Sequence, residues 1–133
     1  MAKCRAAIEL VSVRHAGDPI GDDWSYEITI HGDRKVVPMA PGRGRPGTSD
    51  LDVPRLRWDF RLPGCARHEL DLRIVSTEHD IAFDDVGKAP PDSRIVVDPT
   101  APASKQVAIT RVTELLNGIH EVHFLFRVTT ECI

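Results

Sequence analysis

The chain has 133 residues, 41% of them hydrophobic and 28% charged, which suits one globular domain and does not fit a disordered segment. Its 17 basic and 20 acidic side chains leave a net charge of -3, which excludes a strong electrostatic pull toward nucleic acid. There is no apolar run long enough to cross a bilayer. Glu9 and Arg14 interrupt the N-terminal stretch where a signal peptide would need an apolar core, so a cytoplasmic location is expected.

In chain order, residues 4–14 read as a first strand, in which Ala6, Ile8 and Leu10 alternate with Ala7, Glu9 and Val11. An acidic turn, Gly17 to Asp23, ends it. Residues 24–31 place Trp24, Tyr26, Ile28 and Ile30 on one face and Ser25, Glu27, Thr29 and His31 on the other, the period of a half-buried strand. Gly32-Asp33 marks a hairpin, and Lys35-Val36-Val37 begins the return strand. Residues 39–54, rich in Pro, Gly and Arg, cannot form a ladder and read as a long loop within the domain.

Residues 55–62 alternate Leu56, Trp58, Phe60 and Leu62 against Arg55, Arg57, Asp59 and Arg61. Residues 67–75 alternate again, and a second acidic loop spans 76–87. A short strand at 93–97 follows. Two further strands, 105–113 and 119–130, are joined by Leu116-Asn117-Gly118, a strong hairpin signal. About eight strands with no β-α-β alternation predict a single all-β domain over 1–133, an eight-stranded antiparallel β-sandwich.

The two acidic loops are the coherent chemical signal. Calcium takes six to eight oxygen ligands, and loops at one end of a sandwich can bring carboxylates together. The candidate ligands are Asp18, Asp22 and Asp23 in the first loop and Glu78, Asp80, Asp84 and Asp85 in the second, with Gly21 and Gly87 letting the backbone bend close to a cation. The arrangement resembles the C2 domain family. That resemblance lies in the Asp-bearing loop after the first strand and in the pattern Val75, Asp80, Asp84, Asp85 and Gly87. It implies a C2-like, non-enzymatic binding module with calcium as cofactor, in which Asp18 and Asp23 are loop-one ligands and Asp80, Asp84 and Glu78 loop-three ligands. The family usually carries two aspartates one residue apart straight after the strand. Here those positions hold Thr77 and His79, or Ser76 and Glu78.

A protein partner is expected and a membrane surface is the alternative, with no nucleic acid. Arg43 and Arg45, framed by Gly and Pro, are candidate anion- or partner-binding residues, and Arg55, Arg57 and Arg61 would form a basic stripe on a nearby strand. Two competing functions stay open: a metal-independent structural or assembly subunit, and a metal-dependent hydrolase, although no nucleophile motif is present. The aromatic residues fall on core-facing positions. His120 and His123, three apart, point to opposite faces of a strand. His15 and His79 each flank an acidic loop. Of the three cysteines, Cys4 and Cys132 stand in the first and last strands where a bridge would be geometrically allowed. Reduced buried thiols are the expectation, and Cys65 reads as a bystander in its Pro-Gly turn.

Overall fold

The computed structural model describes residues 3–21, 23–39, 49–50, 54–80, 84–114 and 118–133. Ten strands appear among them: β1 (Lys3–Gly17), β2 (Trp24–Ile30), β3 (Asp33–Val37), β4 (Ser49–Asp50), β5 (Arg57–Pro63), β6 (His68–Glu78), β7 (Asp85–Lys88), β8 (Arg94–Val97), β9 (Ala103–Glu114) and β10 (Gly118–Cys132). The eight expected strands correspond to all of these except β4 and β7. Every pairing is antiparallel.

The strands form two layers. In one, β3 pairs β2, β2 pairs β6, and the far edge of β6 is shared by β8 at its start and β7 at its end. In the other, β9 pairs β10 and β10 pairs β1, whose far edge carries β5 along Lys3–Glu9 and β4 at Val13–Arg14. The layers meet at one ladder pair, Lys88 opposite Arg111, so the hydrogen-bonded path is nearly closed like a barrel.

Alternation fills the space between the layers. Trp24, Tyr26, Ile28 and Ile30 from β2 and Leu70, Leu72 and Ile74 from β6 face Ile8, Trp58, Phe124, Phe126 and Val128 from the other layer, all buried. The Tyr26 ring meets Phe124 edge-on at 5.3 Å between centroids, and Trp58 Nε1–H donates to the Asp33 carbonyl across the layers at 3.0 Å. The aromatic residues are thus core, as their positions indicate. The β2–β3 turn has positive φ at both His31 and Gly32, the geometry of a two-residue hairpin loop.

Two local devices set the faces near the acidic end. A bulge in β1 shifts the register between Leu10 and Ser12. The inward set therefore changes parity, from Cys4, Ala6, Ile8 and Leu10 to Val13 and His15. The second device is Gly87. A Cβ there would lie 2.6 Å from Val112 Cγ2 and 2.7 Å from the Arg111 carbonyl, so only glycine lets β7 press against β9. Gly87 therefore seats one layer on the other and does not bend the chain toward a cation.

The cysteine expectation is corrected. Cys65 and Cys132 are joined by a disulfide with Cα atoms 5.6 Å apart, and Cys4 is a free, buried thiol. The β5–β6 turn crosses from one layer to the other, and this crossover brings Cys65 beside the end of β10.

Candidate functional site: an acidic mouth over a histidine pair

Strand parity places three carboxylates at one end of the sandwich. On β6 the inward residues run Leu72, Ile74, Ser76 and Glu78, and Glu78 is only 4% exposed. Asp85 is the ladder partner of Glu78 on β7, so the two side chains share a face. On β9 the buried positions Thr110 and Val112 put Glu114 on the inward face of the opposite layer. Asp85 and Glu114 lie close enough across the layers to act on each other electrostatically. Burial first, then repulsion from Glu114, Asp80 and Asp84, pushes the Asp85 carboxyl above its usual range.

The second acidic loop is shorter than expected. Glu78 and Asp85 are strand residues, so the connection between β6 and β7 runs only from His79 to Asp84. Asp80 N–H donates to Asp84 Oδ1 at 3.2 Å, and His79 stands between Ser25 Oγ, at 2.7 Å, and Asp84, at 3.9 Å. The first acidic turn reaches this loop by its backbone: the His79 N–H donates to the Asp23 carbonyl at 2.8 Å. Gly21 packs directly on the Glu78 carboxylate, which a Cβ would overlap.

Asp18 is placed differently. Its Oδ2 accepts the Ile119 N–H at 3.0 Å and its own N–H donates to the Ile119 carbonyl at 2.8 Å, so it closes the start of β10. Asp22, Arg43 and Arg45 lie outside the described residues. In the basic stripe, Arg57 is paired with Glu9 and Asp59.

Beneath the mouth lies a buried polar chain. His120 Nδ1 is 2.8 Å from the Asp18 carbonyl, His120 Nε2 is 2.7 Å from His15 Nδ1, and His15 Nε2 meets the Tyr26 hydroxyl. A carbonyl only accepts, so His120 carries its proton on Nδ1. Its Nε2 then accepts from His15 Nδ1–H, and His15 Nε2 accepts from Tyr26 O–H. With both rings neutral, as their burial favours, this one backbone carbonyl fixes both tautomers. Trp24 stacks on His120 at 4.9 Å and its Nε1–H donates to the Gly21 carbonyl at 3.1 Å, tying the chain to the acidic turn. Burial, then the neighbouring His120 and His123, pushes His15 down to about 3, and burial lowers His120 as well.

The structure therefore gathers Glu78, Asp80, Asp84 and Asp85 at one mouth, with Asp23 joined by its backbone and Asp18 turned to the β10 start. Glu114 and His120 were not among the candidate ligands, and His15, which flanks the first acidic loop and could have joined a transition-metal site with nearby aspartates, is instead held in a pair with His120. Parity with Thr110 and Val112 would have found Glu114, and parity with Phe124 and Phe126 would have turned His120 inward. Among the described residues, no three His, Cys, Asp or Glu side chains are already arranged as a metal-binding set. The donor chemistry still suits a hard cation: the mouth offers carboxylate oxygens, and like-charge crowding raises Asp85.

No family model matches the chain, and no curated protein does. A solved structure described as "Structure of a C2 domain" is similar over 97% of this chain and 99% of its own, at 12% sequence identity and a TM-score of 0.41.

Proposed function

We propose that this β-sandwich is a non-enzymatic binding module whose acidic mouth takes up a calcium ion and, with it, docks a protein partner. One observation carries the reading. Asp85, Glu114 and Glu78 project from three strands in two layers into one end of the fold, with Asp80 and Asp84 on the adjoining loop. Calcium would relieve the repulsion that raises Asp85, and carboxylates are the ligands it prefers. Asp85, Glu114 and Glu78 would form the inner donors and Asp80 and Asp84 the outer ones.

The test is a thermal melt in EDTA and then in millimolar calcium. A ligand selective for the native state must stabilise it, so a rise of several degrees supports the reading and no rise contradicts it.

A metal-independent assembly subunit is the second reading. The raised Asp85 carboxyl favours it, because taking up a proton relieves the crowding of the acidic mouth without a cation. Its signature is unchanged melting in calcium together with stable co-sedimentation with a partner. The hydrolase reading has one contact on its side, Ser25 Oγ at 2.7 Å from His79 Nε2, but Asp84 Oδ1 stands 3.9 Å from His79 Nδ1, beyond hydrogen-bond length, so the ring is not oriented as a base by that carboxylate. The disulfide pulls against a cytoplasmic location, since such bonds persist in oxidising compartments. Trapping the thiols in freshly lysed cells would decide between the two.

A further inference from the structure

We propose that Cys132 is a shared disulfide partner: its bond to Cys65 exchanges for a bond to Cys4, and the exchange exposes Cys65 as a surface thiol open to modification. Cys4 and Cys132 are ladder partners on β1 and β10. Their neighbours Lys3 and Ile133 exchange both backbone hydrogen bonds, each 2.9 Å. The next pair along is therefore the non-hydrogen-bonded kind, where Cα atoms of opposed strands come within about 4.5 Å and side chains share a face. That separation lies inside the range a disulfide spans. The facing pairs Ala6 with Thr130 and Ile8 with Val128 share the face of Cys4 and Cys132, so the two cysteines are on one side of the ladder, with Cys4 buried and Cys132 exposed at the strand end. Cys65 reaches the same residue from the β5–β6 turn. Cys132 thus has two partners within bridging reach and can bond only one at a time.

The exchange needs no oxidant. The Cys4 thiol gives up its proton, its sulfur attacks Cys132 Sγ, the Cys4–Cys132 bond forms and the Cys65–Cys132 bond breaks. Cys65 leaves as a thiolate and takes up a proton, so the count of disulfides is unchanged. Both bridges close long loops, and closure entropy grows only with the logarithm of loop length, so neither is strongly preferred on that ground. Cys4 is fully buried and burial pushes its thiol up, so the exchange is slow near neutrality and speeds as pH rises. Cys65 lies in an exposed turn, so once released it is accessible to low-molecular-weight disulfides of the glutathione class. This inference stands apart from the calcium reading.

The experiment compares the full-length wild type with Cys65→Ser and Cys4→Ser. Each is oxidised with oxidised glutathione, free thiols are trapped with N-ethylmaleimide, and the bridges are mapped by mass spectrometry. Cys65→Ser is expected to lose both thiols into a Cys4–Cys132 bridge, and Cys4→Ser to form Cys65–Cys132. Wild type held with a trace of reduced glutathione should gain Cys65 labelling as Cys4 labelling falls, at a rate rising roughly tenfold per pH unit below the Cys4 pKa. Persistence of the Cys4 thiol in oxidised Cys65→Ser overturns the proposal. Should that variant not fold, the wild-type time course decides: labelling of Cys65 that never appears overturns it equally.

Discussion

Lowering the pH from 7.5 to 5 should destabilise this protein through His15. The ring is 1% exposed, and its folded-state value is pushed down to about 3 from an ordinary 6.5. The unfolded chain therefore binds a proton that the folded chain refuses across that window. His15 imposes no penalty above about pH 6.5, and stability is lost progressively as pH falls through the unfolded value toward 3. Each pH unit below 6.5 is worth about 1.4 kcal/mol, so the loss at pH 5 is about 2 kcal/mol from His15 alone. For a domain of this size that lowers Tm by roughly 6–10 °C. His120 adds in the same direction, since its value is also lowered. The assay is urea unfolding from pH 7.5 to 4.5 for wild type and His15→Gln, taking the difference so that groups common to both cancel. Wild type should lose about 3 kcal/mol more than the variant over this range. Parallel pH profiles would refute the reasoning, as would an NMR titration of His15 near 6.5.

Other consequences follow from single contacts. Asp85→Asn should not lower Tm in EDTA at neutral pH, because a carboxyl whose folded-state value is raised favours the folded state only as pH falls; a clear drop in the EDTA melt would contradict the crowding. Gly87→Ala should cost about 1–3 kcal/mol in urea unfolding, because the methyl group would collide with the Arg111 carbonyl and Val112. Gln106→Ala should cost about 2 kcal/mol, because the Gln106 amide accepts the Val96 N–H at 2.8 Å and donates to the Val96 carbonyl at 2.7 Å, serving as the strand partner that β8 lacks there. Reducing Cys65–Cys132, whose ends are 67 residues apart, should cost about 4 kcal/mol on the chain-entropy model; a melt that dithiothreitol leaves unchanged would contradict the bond's role.

Most strands were legible because alternation survives wherever one face is buried, as in Trp24 to Ile30 and Leu56 to Leu62. The two missed strands had no alternation to show. Ser49–Asp50 is two residues long, and Asp85–Lys88 contains a glycine that packs by having no side chain. Missing that strand made the acidic loop look twice its length and hid the pairing of Glu78 with Asp85. The bulge between Leu10 and Ser12 had a comparable effect: it reverses which residues face inward, so His15 looked like a loop neighbour when it is a core residue. Glu114 escaped because its strand reads weakly, with Val107 exposed and Ala108 and Ile109 both half-buried before Thr110. The disulfide could not be read from spacing, because only the layer crossover at 64–67 brings Cys65 to Cys132.

The most direct test of the acidic mouth is a calorimetric calcium titration of wild type beside Glu114→Gln, run in two buffers of different ionisation heat at mildly acid pH. Saturable binding to wild type, with a buffer-dependent heat from the proton displaced from the raised Asp85 carboxyl, and much weaker binding to the variant, is the predicted result. Absence of saturable heat in wild type up to millimolar calcium would contradict a cation site at the mouth.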